Sequence, residues 1–160
     1  MDASTKIVIH GRKVVGGVAE GEAMVTHETI SGWGGIDANT GTIIERRHEL
    51  VGQSFKDKVL VFPGAKGSSG YSHFFHLARV YGAAPKAQLF NKMTTKIALG
   101  AVVTRVPAMT DFDRDPLDIG GEQRQYRKEG GVTIPRNNLS GRRFGPQAEP
   151  TQDITLHRRV

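Results

Sequence analysis

A short run rich in glycine and serine, Lys66-Gly67-Ser68-Ser69-Gly70, is the part of the sequence best suited to chemistry. It follows an apolar segment that ends at Phe62 and precedes a segment with helical spacing of apolar residues. A loop that opens a helix in this way directs free backbone N–H groups and the positive end of the helix dipole at one point, where a phosphate or carboxylate can bind. Ser68 or Ser69 would equally serve as an ordinary helix N-cap. An anion site is the functional interpretation, and a cap is the structural alternative.

The run does not match the phosphate-binding or esterase motifs that also use glycine and serine. A Walker loop requires a Lys-Ser or Lys-Thr pair, and none follows Gly70; the Gly-x-Ser-x-Gly string of a nucleophile elbow is not present here. His73 and His76 are three residues apart near the start of the expected helix, but neither a cysteine nor a third nearby histidine completes a metal site. The functional prediction is therefore an anion-binding loop, with no metal bound by this chain.

Two further segments carry side chains suited to binding. Trp33 is flanked by glycines, which let the backbone either approach another group closely or form a packed turn. Arg46, Arg47 and His48 follow two isoleucines and form either a solvated strand edge or a phosphate site. The sequence alone leaves both pairs of alternatives open.

The elements that must position these residues change character halfway along the chain. Short apolar segments separated by glycines predict strands at 7–10, 23–27, 43–46 and 58–62, and so a small barrel or sandwich. After the loop, apolar residues three or four apart predict a helix that includes Phe74 and stops at Gly82. A strand at 86–90, a mainly helical segment at 94–104 and a strand at 106–109 follow. This alternation predicts an α/β domain with parallel strands covered by helices.

The composition describes one domain of ordinary size that folds without disulfides. The chain has 160 residues, no cysteine, 38% apolar residues and a net charge of +6. Without cysteine it cannot use a thiolate nucleophile or hold a Cys-ligated iron–sulfur cluster by itself. The first residues contain too few apolar side chains for a signal peptide, and no stretch reaches the roughly 18 residues needed to cross a membrane. We therefore expect a cytoplasmic protein with no membrane contact.

The basic charge is concentrated in residues 121–160. This segment holds eight Lys or Arg against four Asp or Glu, which is +4 of the net +6. It is also rich in Gln, Asn, Gly and Pro, so we expect a basic C-terminal extension with one edge strand and partial disorder, following a domain at residues 1–120. Because the rest of the chain is nearly neutral, the whole-chain charge is a poor argument for a nucleic-acid surface, and we do not expect a nucleic-acid partner.

Several uncommon strings occur in the same order and spacing as in a known family. They are Trp33-Gly34-Gly35-Ile36-Asp37, Lys58-Val59-Leu60-Val61-Phe62-Pro63, Gly67-Ser68-Ser69 and Ile97-Ala98-Leu99-Gly100-Ala101, with shorter matches at Gly21-Glu22-Ala23, Thr40-Gly41, Arg47-His48 and Ala84-Pro85. Over residues 7–119 the chain resembles the small subunit, or swivelling domain, of aconitase X. Many members of that family have a small residue where this chain has Tyr71, and the tail after residue 119 departs from the family pattern.

The resemblance implies a swivelling β/β/α domain, in which a small barrel-like half is followed by strand-helix-strand layers. It also implies a heteromer. In that family a large, Cys-bearing subunit carries the iron or iron–sulfur centre and most substrate contacts, and the small chain binds no cofactor alone. The absence of cysteine here agrees with that division of roles.

The activity implied by the resemblance is that of a hydro-lyase, a dehydratase that acts on a hydroxy acid. The family includes dehydratases of cis-3-hydroxy-L-proline, which is our first choice of substrate, and of 5-phosphomevalonate, which is the alternative. By its position in the family's Gly-Ser-Ser string, Ser68 is the expected catalytic base. The expected substrate-binding residues are Lys66, which would pair with the substrate carboxylate, and Gly67, Ser69, Gly70 and Tyr71.

A second hypothesis assigns no catalysis to the chain. In this case it is a binding module that uses the same loop for an anionic ligand, or the basic tail for RNA. This hypothesis predicts binding by the isolated chain, with a steep salt dependence in the RNA case.

Overall fold

Short strands follow one another in the first half of the chain and alternate with helices in the second. The structure is a computed structural model that describes residues 6–17, 19–67, 70–113, 115–117, 130–134 and 151–158. The first half contains β1 (Lys6–Val15), β2 (Ala19–Val25), β3 (Ile36–Asp37), β4 (Thr42–Ile43) and β5 (Val59–Phe62). The second half contains α1 (Gly70–Val80), β6 (Ala87–Phe90), α2 (Thr95–Thr104), β7 (Ala108–Thr110), β8 (Gly130–Ile134) and β9 (Thr151–Arg158).

Seven of these strands form a closed barrel in the order β1-β7-β6-β5-β2-β8-β9, while β3 and β4 pair as a separate hairpin. Strand β5 lies parallel to both β2 and β6, and β6 lies parallel to β7. Parallel neighbours need a crossover connection. Helices α1 and α2 supply two of these crossovers and pack against each other. The predicted α/β class, with a barrel-like half and strand-helix-strand layers, is confirmed.

Apolar side chains on alternate residues of β5 belong to two separate cores. Val59 and Val61 join a cluster that, among the described residues, contains no helix side chain and fills the barrel. Leu60 and Phe62 join a second cluster with the inner faces of α1 and α2. Successive side chains of a strand point to opposite faces, so a continuous apolar run is typical of a strand buried on both sides. The loop that follows Phe62 is therefore anchored by a fully buried strand.

The helix boundaries follow from local signals in the sequence. The hydroxyl of Thr94 caps α2 by accepting a hydrogen bond from the Ile97 N–H at 3.3 Å. Helix α1 ends before Gly82, whose φ of 73° lies in the left-handed region that glycine adopts without strain. Both boundaries agree with the sequence prediction. Neither helix is long and apolar enough to cross a membrane.

The strands of segment 121–160 differ from the expectation of one edge strand. Strand β8 pairs with both β2 and β9, and β9 also pairs with β1. Both strands have neighbours on each side because they close the barrel, which leaves β1 and β2 without unpaired edges. The domain boundary at residue 120 stays a prediction, and the expected partial disorder concerns residues outside the described ranges.

Tyr71 lies at the centre of the core beneath the helices. Its side chain is fully buried, and its ring centroid is 4.5 Å from that of Phe75. A Cβ at Gly100 would lie 2.4 Å from the Tyr71 ring, so this glycine lets α2 approach α1 closely. The Tyr71 hydroxyl has no hydrogen-bond partner among the described residues. Burial away from water raises the pKa of this hydroxyl above its ordinary value.

Above about pH 10 the wild-type chain is expected to lose stability faster than the Tyr71→Phe variant. Below that pH, Tyr71 is protonated in both the folded and the unfolded chain. Above it, the unfolded chain releases this proton while the folded chain retains it, so the free energy of unfolding falls by about 1.4 kcal/mol per pH unit. Urea unfolding over a pH series measures the difference. Tyr81→Phe, at an exposed position, is the control and should follow the wild type; parallel curves for all three proteins would contradict the expectation.

Candidate active-site loop

The glycine-serine loop lies where the parallel strands end. It begins after Phe62, the last residue of β5, and leads to Gly70, the first residue of α1. The Pro63 carbonyl at its start accepts hydrogen bonds from the N–H groups of Asn91 and Lys92, at 3.2 and 2.9 Å, so the connections after β5 and β6 are tied together. In open α/β sheets, ligands bind in the crevice outside the carboxyl ends of the strands. The loop occupies the corresponding edge of this barrel.

Backbone hydrogen bonds attach the loop to the segment that precedes Trp33. The Ile30 N–H donates to the Gly64 carbonyl at 3.1 Å, and the Lys66 N–H donates to the Ile30 carbonyl at 3.0 Å. Gly67 has a φ of 86°, where a residue with a side chain would be strained. The path of the loop up to Gly67 is therefore set by a neighbouring segment and by one glycine.

The turn at residues 32–35, called the Trp33 turn, packs directly on the start of α1. A Cβ at Gly32 would lie 2.4 Å from the Gly70 carbonyl oxygen and 2.6 Å from the Tyr71 Cα. A Cβ at Gly70 would lie 3.2 Å from the Cβ of Trp33. The two alternatives that the sequence leaves open for this turn are both present, because the turn is packed and its glycine makes the close approach. The group approached is the junction between the loop and α1.

The Trp33 side chain projects from this junction into solvent. It is 79% exposed. Its ring meets the Phe74 ring of α1 edge to face, with centroids 5.7 Å apart and planes at 79°. This T-shaped geometry is one that aromatic pairs prefer. An ordered aromatic surface therefore stands beside the loop.

Two lysines lie next to the loop and use their charges differently. The Lys66 ammonium pairs with the Glu45 carboxylate at 2.5 Å. The Lys96 ammonium donates to the Gly67 carbonyl at 2.6 Å, and no carboxylate in the described part of the chain pairs with it. Lys96 stands in the first turn of α2, where a cation opposes the helix dipole. Its contact with the loop offsets this unfavourable position and leaves a positive charge beside the peptide that links Gly67 to Ser68.

Of the predicted site residues, the structure describes those on either side of the serine pair: Lys66, Gly67, Gly70 and Tyr71. The first three lie at the surface of the loop or at the helix start. Tyr71 differs from the expectation of a substrate contact, because the apolar face of α1 turns its ring into the core beneath the loop. The expected base Ser68 and its neighbour Ser69 lie outside the described residues.

The residues of this chain do not fit an iron–sulfur cluster. Such clusters are held chiefly by cysteine thiolates, and the sequence contains no cysteine. The described residues also contain no group of three or more His, Asp or Glu that could hold a metal ion. His73 is exposed and contacts Phe74 edge to face, with ring centroids 5.5 Å apart. Among the described residues, no metal-binding group therefore includes His73 and His76.

The Arg46-Arg47-His48 segment divides into an exposed and a buried part. Arg46 and Arg47 are exposed, and no carboxylate among the residues described pairs with either guanidinium. His48 is buried, and its Nδ1 accepts a hydrogen bond from the Leu50 N–H at 3.1 Å. The arginines directly follow Glu45, whose carboxylate holds Lys66, so the segment that carries them is tied to the loop through this ion pair.

Sequence reasoning does not single out Glu45 or Lys96. Lys96 has a local signal, because it is a cation in a first helical turn that carries no acidic residue. Glu45 has none, since its contact with Lys66 joins residues 21 apart across the fold. Only a structure can bring these two side chains to the loop.

Known proteins are similar to this chain in sequence. A family model described as the aconitase X swivel domain matches residues 8–136. The phosphomevalonate dehydratase small subunit of Thermococcus onnurineus is 37% identical over 126 residues, which cover 79% of this chain and 97% of that protein. A protein of the same name from Methanocella arvoryzae is 37% identical over 110 residues, which cover 69% of this chain and 83% of that protein.

A solved structure extends the agreement to the fold. The crystal structure of Thermococcus kodakaraensis aconitase X in its holo-form matches with a TM-score of 0.72 and 29% sequence identity, covering 92% of this chain and 98% of that one. The resemblance inferred from the short sequence strings is confirmed by these matches. This chain belongs to the aconitase X swivel domain family.

Proposed function

We propose that this chain is the small subunit of a dehydratase that removes water from 5-phosphomevalonate. The observation that carries the proposal is the match to phosphomevalonate dehydratase small subunits, at 37% identity and with 97% of the Thermococcus onnurineus protein covered. This match favours the substrate that sequence analysis ranks second over its first choice, cis-3-hydroxy-L-proline. Both are β-hydroxy acids, so the reaction class is the same for either substrate.

The charges around the loop support a phosphorylated substrate. Lys96 lies against the Gly67 carbonyl, and Arg46 and Arg47 are exposed beyond Glu45. Arginine and lysine are the side chains that most often recognise phosphate. Lys66 remains available for the substrate carboxylate, because an ammonium group has three donors and the contact with Glu45 uses one. Two anionic groups on one substrate would thus meet two sets of cations.

In the proposed reaction Ser68 acts as the base. The C–H bond next to the substrate carboxylate breaks, and its proton passes to Ser68, which reacts as the alkoxide and becomes a hydroxyl. The electron pair of that bond forms the new carbon–carbon double bond, and the bond to the hydroxyl on the neighbouring carbon breaks. The leaving hydroxide takes a proton from an acid that the large subunit is proposed to supply, and Ser68 returns its proton to solvent before the next turnover. Backbone N–H groups of Gly67, Ser69 and Gly70, together with the N-terminus of the 11-residue helix α1, favour negative charge at this point.

We further propose that a large subunit supplies what this chain lacks. Aconitase X chemistry is associated with an iron centre, and neither the cysteine-free sequence nor the described residues provide a site for one. The partner is therefore proposed to bear the cysteines that hold the iron centre, and the chain to be active only in the complex. A cytoplasmic location remains part of this proposal.

The test is an assay of the co-expressed two-subunit complex with three substrates. These are 5-phosphomevalonate, the same molecule without phosphate, and cis-3-hydroxy-L-proline, with water loss followed by NMR. We expect kcat/KM for 5-phosphomevalonate to exceed both others by about a hundredfold or more, because a site built around a charged group leaves its partners unpaired when that group is missing. Turnover of hydroxyproline alone would overturn the substrate assignment. Binding of an anion or RNA without turnover of any substrate would favour the non-catalytic module.

A further inference from the structure

The exposed Trp33 is the feature of this surface that the proposed reaction does not use. It is the sole tryptophan of the chain and 79% exposed. Tryptophan buries a large apolar area in most folded proteins, and exposed apolar groups that are organised together mark sites of association. Ile44 is a second exposed apolar residue near this turn: its N–H donates to the Gly35 carbonyl at 2.9 Å, and its side chain is 47% exposed.

Trp33 is also held in place before any partner arrives. Its turn has a Gly35 N–H to Gly32 carbonyl hydrogen bond of 3.2 Å, and its Cβ lies against Gly70. The indole ring rests edge to face on Phe74, which is itself packed on the helix-facing core. An aromatic side chain fixed in this way loses little conformational freedom on binding, which is the property of an interface anchor.

The position of Trp33 indicates which partner would bury its side chain. Its backbone touches Gly70, at the end of the loop that carries the proposed base. The described residues offer no place for the iron centre, so the subunit that brings it and the substrate must approach this edge. The rim cations are Lys96, which contacts the loop, and the exposed Arg46 and Arg47, which directly follow Glu45 in the chain. An apolar pocket with an acidic rim would complement this surface.

We infer that Trp33, braced by Phe74, is the anchor by which this chain docks into an apolar pocket of the iron-bearing large subunit. The inference rests on the proposed function for the identity of the partner. It adds to that function a residue that controls assembly rather than chemistry. The rim cations would orient the approach, and the aromatic anchor would slow dissociation.

The first test is oxidative footprinting of the intact, co-expressed complex by hydroxyl radicals and mass spectrometry. Trp33 lies in a unique peptide, and Tyr81 is an internal reference because it is 54% exposed at the opposite end of α1. If Trp33 is the anchor, it is protected in the complex while Tyr81 is oxidised at the rate of an open surface residue. Oxidation of both residues at similar rates would overturn the inference.

The second test compares complexes that contain Trp33→Ala or Tyr81→Ala. Dilution followed by mass photometry measures the fraction that stays assembled. We expect the Trp33 variant to dissociate about 30-fold more readily and the Tyr81 variant to match the wild type. Circular dichroism of each complex checks that the variant has folded. Because Trp33 is exposed, its replacement removes no side chain from the buried core.

Other occupants of the surface give different results. An unchanged assembly with a raised KM would place the indole against the substrate and overturn the docking role. Self-association of this chain that Trp33→Ala removes, with binding to the large subunit unchanged, would identify a second copy as the occupant. If assembly depends on Trp33 but the complex is inactive on all three substrates, the result contradicts the proposed function and supports the interface. If the complex is active and its assembly is unchanged by Trp33→Ala, the result supports the proposed function and contradicts the interface.

Discussion

Turnover by the assembled enzyme is expected to fall about a thousandfold when Ser68 is replaced by alanine, because the proposed base is removed. KM should change little, since the backbone N–H groups and the cations near the loop remain. The measurement is kcat and KM of the co-expressed complex with 5-phosphomevalonate. The effect is large because the C–H bond next to a carboxylate is weakly acidic and needs a positioned base.

Two companion variants separate the loss of a base from damage to the loop. Ser68→Cys retains a side chain that can accept a proton and is expected to recover part of the lost activity. Ser69→Ala retains the backbone N–H assigned to substrate binding and should lose less than tenfold. Assembly, measured by mass photometry, should be the same for all three variants. A Ser68→Ala complex with wild-type turnover would remove Ser68 from the mechanism and leave the substrate assignment untouched.

Gly32→Ala is expected to lower turnover about a hundredfold, although residue 32 is in a separate segment of the chain from the loop. The added methyl group would lie 2.4 Å from the Gly70 carbonyl oxygen and 2.6 Å from the Tyr71 Cα, and both are backbone atoms that cannot rotate away. The Trp33 turn and the loop must therefore separate. A displacement of about 1 Å at a catalytic group commonly costs about this factor in rate.

The control for Gly32→Ala is Gly52→Ala. Gly52 has a φ of 81°, so alanine is strained there, but a Cβ at this position would meet no atom within 4 Å. We expect this variant to lose about 1 kcal/mol of stability with turnover unchanged. Measuring kcat and the thermal midpoint of both complexes distinguishes displacement of the loop from general destabilisation. Equal kcat values for the two variants would contradict the role assigned to Gly32.

The position of the loop in the fold is largely readable from the sequence. A continuous apolar run ending at Phe62 predicts a strand buried on both faces, and apolar spacing after Gly70 predicts a helix. These signals lie within a few residues of one another, so they can be recognised without knowledge of the rest of the chain. For Tyr71, the structure differs from the expected substrate contact, because the side chain is buried. A short family string gives no information on which side of a helix faces the core.

The closure of the barrel is the part of the fold that local patterns predict least well. Strands β8 and β9 have weak signals in a basic segment, yet they pair with β2 and β1. Pairing of this kind depends on the edges left free by strands far away in the chain. A propensity calculated over a short window carries no information about those edges.

By itself, the sequence determined the order of strands and helices from β5 to β7, the place of the glycine-serine loop between a buried strand and a helix, and the family, because each depends on residue types that are close together in the chain. Only the tertiary structure decided what surrounds that loop. It brought Lys96 to the Gly67 carbonyl across 29 residues, paired Lys66 with Glu45 across 21, and set Trp33 on the start of α1. The reason is that such contacts form only after the barrel and the helix pair have fixed the distances between separate segments.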